Sequence, residues 1–228
     1  MNNASFNNPH RALDLISLVY SNHKLIHPIG IQRIYLKEYI TMVRVKSYRK
    51  KIACLESLWD SDVEERLSVV PIVELVSNLH DLKFIYLSCN TPEELKHNLK
   101  KVKRKPGYGI LYLSFHGHPG EIVVDGSKME IESLASFMGT GFTNWVVHFG
   151  SCETIDTKKS RIYDFIEATG VSTVLGYKMD VDWLEATALD LLLLDWLQHY
   201  KDMRSMWKGF KKNYKDHIST TGLRAFHG

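Results

Sequence analysis

Two side chains with catalytic potential, a histidine and a cysteine, each follow an apolar run of the sequence. His116 comes directly after the run 109–115, and Cys152 comes after the run 144–149 with only a Gly-Ser pair between. Apolar runs rich in β-branched and aromatic residues and closed by glycine are typical of buried strands in a parallel sheet. The carboxyl ends of such strands form the edge where open α/β sheets carry their sites. We therefore expect His116 and Cys152 to lie in one cleft.

A cysteine beside a histidine is a nucleophile supplied with its own base. A thiol attacks as the thiolate, and a nearby imidazole can take its proton or, as imidazolium, lower its pKa. The backbone N–H groups of Gly117 and Cys152 can face the oxyanion that develops in acyl transfer, since Gly117 has no side chain to obstruct it. The alternative for Cys152 is an inert core thiol. Its position beyond the end of the run, in a Gly-Ser-Cys turn, favours the nucleophile.

The order of these segments resembles the caspase-like cysteine peptidases (clan CD), the group that includes separases, gingipains, legumains and metacaspases. The resemblance rests on four segments in order: an apolar strand followed by His116-Gly117, a hairpin at 120–126, a helix, and a strand ending in Ser151-Cys152. It covers about residues 50–176 and is closest to small bacterial members often called CHAT-like. It implies a three-layer αβα sandwich with a mainly parallel sheet. The Gln-Ala-Cys-Arg-Gly motif of true caspases is not found around Cys152, so aspartate specificity is not implied.

The resemblance also implies a role for each site residue. His116 would be the general base and acid, Cys152 the nucleophile that forms a thioester acyl-enzyme, and the N–H groups of Gly117 and Cys152 the oxyanion hole. We therefore expect a cysteine endopeptidase acting on protein or peptide substrates, with an activating protein partner possible. Two alternatives stay open: a catalytically silent caspase-like module for protein interactions, and a hydrolase or acyltransferase acting on small molecules.

The resemblance places the pocket for the substrate residue before the scissile bond against three walls. These are the end of the first strand, the turn before the nucleophile, and the loop after the strand that follows it, which here offer Glu56, Ser151, Asp180 and Asp182. A carboxylate in a cleft pairs with lysine or arginine, and desolvation makes such a pair selective. We therefore expect cleavage after a basic residue.

Two of these carboxylates have structural alternatives. Asp182 can N-cap the long helix that follows, with Glu185 completing a capping box, and we favour that role. Glu56 can form a structural salt bridge with Lys158 or Arg161. We favour substrate binding for Glu56, because a carboxylate at the end of an apolar strand needs a reason to be there.

The composition bounds the domain organisation and the partners. The chain has 228 residues, of which 44% are hydrophobic and 24% charged, with a net charge of +3. That is an ordinary globular composition with room for one α/β core, which we place at 49–228, after an N-terminal extension at 1–48 that is partly disordered or forms a short helix. The basic run 96–105 reads as the solvated face of an amphipathic helix, so no nucleic acid partner is expected.

Cofactor, metal and membrane functions find little support in the sequence. The three cysteines form no Cys-x-x-Cys pair, and the glycine-rich nucleotide loops are missing. We expect no cofactor and no metal: His148 lies within a strand and reads as a satisfied core histidine, and His118 as a rim residue of the cleft. No segment has the apolar length of a membrane span, and the start lacks the features of a signal peptide, so we expect a soluble, cytoplasmic, bacterial protein.

Strand and helix patterns alternate along the chain, which indicates right-handed crossovers and a parallel sheet covered on both faces. Strands are predicted at 51–56, 83–88, 109–115, 144–149 and 171–176. Helices are predicted at 70–79, from an N-cap at Thr91, and at 130–138, 161–168, 182–200 and 203–214, followed by a short polar tail. The helix at 182–200 is apolar almost all round, so it must be buried on the sheet or in a partner.

Overall fold

Strands and helices alternate in the computed structural model, which describes residues 48–59, 67–124 and 126–228. The strands are β1 (Lys51–Glu56), β2 (Ile85–Ser88), β3 (Tyr108–Ser114), β4 (His116–His118), β5 (Glu121–Val124), β6 (Ser127–Glu130), β7 (Val146–Phe149), β8 (Thr173–Tyr177) and β9 (Leu223–His227). The helices are α1 (Val70–Leu79), α2 (Pro92–Val102), α3 (Ile131–Met138), α4 (Lys159–Thr169), α5 (Trp183–Leu197), α6 (Met203–Asn213) and α7 (Lys215–Thr221). The N-terminal extension, for which a short helix was one expectation, lies outside the described residues.

The main sheet has six strands in the order β2-β1-β3-β7-β8-β9. All neighbouring strands are parallel except β8 and β9, which are antiparallel. The chain steps from β1 outward to β2 and then returns to the other side of β1 to form β3. In an open α/β sheet such a reversal opens a crevice at the carboxyl ends of the strands.

Helices cover both faces of this sheet, as expected. Alternate residues of each strand face opposite sides: Ala53 and Leu55 of β1 join one apolar cluster, and Ile52 and Cys54 join the other. Helices α2, α3 and α4 pack on the first face, and α1, α5, α6 and α7 on the second. The prediction of an α/β fold with a mostly parallel sheet between helical layers is confirmed.

Local sequence signals set several element boundaries. The hydroxyl oxygen of Thr91 accepts a hydrogen bond from the backbone N–H of Glu94 and caps α2 as predicted. Gly170 ends α4 in the left-handed conformation with φ of 77°. Helix α4 begins at Lys159, two residues before the predicted start at 161, and its N-cap Lys158 forms no side-chain cap.

The sequence prediction is also wrong at the C-terminus, where a polar tail was expected. Helix α7 and strand β9 occupy this segment, and β9 pairs with β8 from Thr173↔His227 to Tyr177↔Leu223. Its residues Leu223, Ala225 and Phe226 pack on the two apolar clusters. The strand closes one edge of the sheet beside β8.

A second, three-stranded antiparallel sheet is inserted between β3 and α3, with the order β4-β5-β6. The expected hairpin corresponds to β5 and β6, and β4 adds His116 to it through the pair His116↔Val123. The guanidinium group of Arg161 in α4 anchors this sheet through ion pairs with Glu130 and Glu132. The small sheet therefore holds His116 above the edge of the main sheet.

Candidate active site

One cavity of about 730 Å³ lies at the carboxyl edge of the main sheet. Residues that follow β1, β2, β3, β7 and β8 line it, together with part of the small sheet: Ser57, Leu58, Trp59, Asn90, His116, Gly117, His118, Val123, Gly126, Cys152, Glu153 and Asp180. The structure thus brings His116 and Cys152 to the same cavity, as predicted from their positions after successive strands. His118 also lies in the cavity wall, as expected for a rim residue.

His116 is oriented by a backbone carbonyl. Its Nε2 lies 2.7 Å from the carbonyl oxygen of Trp59, and the two rings meet edge to face with their centroids 5.1 Å apart. A carbonyl oxygen only accepts hydrogen bonds, so Nε2 must carry the proton. In neutral His116 the lone pair is then on Nδ1, which makes Nδ1 the atom able to take a proton.

Glu56 holds the Trp59 loop in place. Its carboxylate is almost fully buried, at 2% exposure, and accepts hydrogen bonds from Trp59 Nε1 at 2.8 Å, Ser68 Oγ at 2.6 Å and the Val69 N–H at 2.9 Å. It therefore lies behind the cavity wall and supports the residue whose carbonyl orients His116. The alternative of a salt bridge to Arg161 is not formed, since that guanidinium binds Glu130 and Glu132.

Cys152 is half-buried at the turn that follows β7. Its Sγ lies 3.8 Å from the Val181 carbonyl oxygen. Burial raises the pKa of the Cys152 thiol above its ordinary value, the contact with Val181 lowers it, and the carboxylates of Asp180 and Glu153 raise it again. The Cys152 thiol is therefore neutral at neutral pH, and it would need a base to act as a nucleophile.

The backbone of Gly117 lies close to the turn at Cys152 that follows β7. A Cβ atom built on Gly117 would lie 2.2 Å from the Cys152 carbonyl oxygen and 2.4 Å from Thr154 Oγ1. The Thr154 hydroxyl and carbonyl in turn bind Glu121 and Gly120 of the small sheet. Only glycine allows this approach, and both Gly117 and Cys152 line the cavity.

We expect Gly117→Ala to lower activity by about 100-fold while the protein remains folded. The added methyl group must push the turn at Cys152 away from β4, since a Cβ atom cannot lie 2.2 Å from a carbonyl oxygen. A displacement of about 1 Å in a catalytic group costs on the order of 100-fold in rate. Hydrolysis assays beside circular dichroism measure the two effects. Gly109→Ala is the control, because a Cβ there makes an ordinary contact at 3.5 Å with the Lys50 side chain and lies outside the cavity lining. Full activity in Gly117→Ala would contradict the assigned contact.

The acidic groups at the cavity are Asp180, after β8, and Glu153, beside the nucleophile. Glu153 has a φ of 55°, a left-handed conformation that costs on the order of 1 kcal/mol for a residue with a side chain. Such outliers concentrate at functional turns, and this one reverses the chain directly after Cys152.

The other residues predicted to bind substrate lie elsewhere. Asp182 Oδ1 accepts hydrogen bonds from the Leu184 and Glu185 N–H groups and caps α5, the role favoured for it. Ser151 is buried at 1% exposure. Of the four residues expected in the specificity pocket, Asp180 is the one in the described cavity wall.

A buried polar cluster lies between β7 and α5. The Asp190 carboxylate on α5 accepts hydrogen bonds from His148 Nε2 at 2.6 Å, Tyr112 OH at 2.6 Å and Tyr177 OH at 2.5 Å. His148 is a buried core histidine as expected, but it is only partly satisfied, because its Nδ1 is buried without a hydrogen-bond partner among the described residues. Burial, and then the charge of Asp190, raise the pKa of both tyrosines well above the ordinary value. The Tyr112 ring packs against Gly150, whose Cβ would lie 2.5 Å from it.

Sequence reasoning missed Trp59, Glu153 and Asp190. The role of Trp59 comes from its backbone carbonyl, which no residue type reveals. Glu153 was detectable as the residue next to Cys152, and Asp190 as a single carboxylate in an otherwise apolar stretch of helix.

Comparison with known proteins places the chain in a family without assigning an activity. None of the curated proteins compared with this sequence matches it. No helix in the described residues is both long and apolar enough to cross a membrane. The model of the family described as "Family of unknown function (DUF6642)" matches residues 49–227, so the chain belongs to the DUF6642 family.

Proposed function

We propose that this chain is a caspase-like cysteine endopeptidase with a Cys152–His116 dyad. The observation that carries the proposal is that His116 and Cys152 line the same open cavity, where the Trp59 carbonyl fixes the proton of His116 on Nε2. The position of both residues after parallel strands, with a small antiparallel sheet carrying the histidine, also agrees with the resemblance of the sequence to the caspase-like peptidases. Function is argued from the site, because a fold alone does not imply an activity.

The mechanism follows from the proton positions. As Cys152 Sγ attacks the scissile carbonyl carbon, its proton moves to His116 Nδ1, and the imidazolium is stabilised by the Trp59 carbonyl. The N–H groups of Gly117 and Cys152 donate to the oxyanion. His116 then protonates the leaving amine as the C–N bond breaks, which leaves a thioester. A water molecule that gives its proton to His116 hydrolyses the thioester and restores the thiol.

Covalent labelling tests this proposal most directly. A peptidyl acyloxymethyl ketone with arginine or lysine beside the reactive group should alkylate the thiol of a working dyad and lose its carboxylate. Peptide mapping should place the adduct on Cys152 and leave the buried thiols of Cys54 and Cys89 free. No adduct, with Cys152 also slow toward iodoacetamide, would favour the silent interaction module.

In this proposal, Asp180 is the residue that binds the basic side chain of the substrate. It is exposed in the cavity wall, beside the nucleophile, and Glu153 adds a second negative charge. A substrate lysine or arginine placed there would neutralise Asp180 and remove part of the electrostatic effect that raises the Cys152 pKa. Binding of a basic side chain would thus favour formation of the thiolate.

We expect Asp180→Asn to have opposite effects on two reagents. The Cys152 pKa should fall, so iodoacetamide should alkylate Cys152 about three- to tenfold faster at neutral pH, since one pKa unit is a factor of ten. The preference for an arginine probe over a neutral probe should fall by about tenfold or more. Both rates are measured by quenching the alkylation at set times and quantifying the adduct by mass spectrometry.

The control is Asp164→Asn, which removes an equal charge from an exposed position on α4. It should leave both rates within about twofold of the wild type. Unchanged probe selectivity in Asp180→Asn would remove Asp180 from the substrate pocket without affecting the assignment of the dyad.

A further inference from the structure

Two histidines and an aspartate meet at a second place in the fold, outside the lining of the cavity. His80 follows the last turn of α1, and Asp195 and His199 lie one turn apart at the end of α5. His80 Nε2 is 2.8 Å from Asp195 Oδ1, and His199 Nε2 is 3.5 Å from the same oxygen. The two imidazole rings meet edge to face, with their centroids 5.1 Å apart.

The spacing of these atoms suits a small divalent ion. One ligand atom from each residue lies within 4.8 Å of the others, and all three residues are half-buried. Four ligands about 2.0–2.1 Å from a tetrahedral zinc ion lie about 3.3 Å apart, between the two distances measured here. Two of the three ligand pairs are therefore within about 0.5 Å of the spacing that zinc requires.

The local field also favours a cation. Both α1 and α5 direct their carboxyl-terminal ends, which carry the negative end of the helix dipole, toward these side chains. The ammonium group of Lys50 already binds the carbonyl oxygens of Leu197 and Tyr200 at 3.0 and 2.8 Å, at the same end of α5. This end of the molecule therefore attracts positive charge.

The second ring nitrogen of His199 forms no hydrogen bond among the described residues that would fix the ring in another orientation. Because this Nδ1 atom is buried without a hydrogen-bond partner in the same part of the chain, nothing there competes with ligation through Nε2.

We propose that His80, Asp195 and His199 bind one divalent transition-metal ion, with Zn²⁺ as the expected ion, and so link the ends of α1 and α5. Two imidazoles and one carboxylate are a zinc ligand set, whereas Mg²⁺ and Ca²⁺ prefer oxygen ligands only. On binding, the proton on His80 Nε2 moves to Nδ1, which frees the Nε2 lone pair for the metal. Three protein ligands leave a fourth position for water.

The test is metal titration of the full chain carrying Cys152→Ala, because the candidate dyad is itself a ligand for zinc. Calorimetry with Zn²⁺ should give one bound ion per chain. Co²⁺ should give the visible absorption of a tetrahedral site, with no thiolate-to-metal charge-transfer band. At 100-fold excess over the Kd, Zn²⁺ should raise the melting temperature by about 5–10 °C, whereas Mg²⁺ should not.

His80→Ala, His199→Ala and Asp195→Asn should each weaken zinc binding by about 100-fold or more, and Asp195→Asn keeps the size of the side chain. The matched control is His97→Ala, an exposed histidine on α2, which should bind zinc like the parent protein. Binding retained in the three variants, or no binding by the parent, would overturn the proposal and leave the cluster an ion pair. Neither result bears on the Cys152–His116 dyad.

Discussion

Cys152→Ala is expected to abolish covalent labelling and peptide hydrolysis altogether, because it removes the sulfur atom proposed to form the thioester. His116→Ala should reduce both rates by about 100- to 10,000-fold, the usual contribution of a positioned general base. Loss of the base is severe here because burial raises the pKa of the Cys152 thiol. The measurements are the second-order rate of labelling by the arginine probe and kcat/KM for a matching peptide.

The pH dependence of alkylation distinguishes labelling that is assisted by His116 from labelling of the unassisted Cys152 thiol. The raised pKa of Cys152 means that the free thiolate is scarce below its ordinary pKa of about 8.5 and accumulates as the pH rises above it. Alkylation by iodoacetamide should therefore keep rising above about pH 8.5. The residual labelling of His116→Ala should follow the same high-pH profile, because without the base only the Cys152 thiolate already present in solution can react.

Two controls and two contrary outcomes complete this experiment. Cys89→Ala and His97→Ala remove the same side chains away from the cavity, so labelling should stay within about twofold of the wild type. Labelling that prefers an aspartate probe would keep the dyad and overturn the basic specificity. Equal labelling of the wild type and His116→Ala at neutral pH would remove His116 from the mechanism.

The second large effect is expected on stability. Asp190→Ala should lower the free energy of unfolding by about 3–5 kcal/mol, because Tyr112, His148 and Tyr177 then lose their common acceptor inside the protein. Each buried polar group left without a partner costs about 1–3 kcal/mol. Urea unfolding followed by circular dichroism gives the value, and an unchanged m-value would show that the unfolding transition is the same.

Asp190→Asn distinguishes hydrogen bonding from simple volume. Asparagine fills nearly the same space and keeps one acceptor oxygen, so we expect a loss of about 1–2 kcal/mol. Asp164→Ala, an exposed change on α4, should stay within about 0.5 kcal/mol of the wild type. If Asp190→Ala were as stable as Asp190→Asn, the three hydrogen bonds would make no net contribution to the fold.

The sequence predicts the scaffold well because its signals are local. Apolar runs, helix caps and glycine stops depend on neighbours in the chain, and β1, α1 and the start of α2 have the predicted boundaries. Arg224 and His227 give the segment of β9 a polar character, and this polar character hid the last strand. Its strand conformation is set by pairing with β8, which a local pattern does not reveal.

The candidate site was predicted where the chemistry depends on residue type, and missed where it depends on distant contacts. His116, Gly117, Cys152 and Asp180 were expected in the cleft, and all four line it. Glu56 was expected to face substrate, because a buried carboxylate in an apolar strand suggests a binding role. Its partners Trp59, Ser68 and Val69 come together only in the folded chain.

The order of the strands has a kinetic consequence for such an enzyme. Strands β1 and β3 are neighbours in the sheet, but α1, β2 and α2 lie between them in the sequence, and β8 meets β9 only after three further helices. Pairing between strands so far apart in the sequence forms slowly, because the entropy of loop closure is lost before the contacts form. Since the cavity is built from the ends of five strands, partly folded chains lack it. Under the proposed function, newly made chains would therefore stay inactive until the sheet is complete.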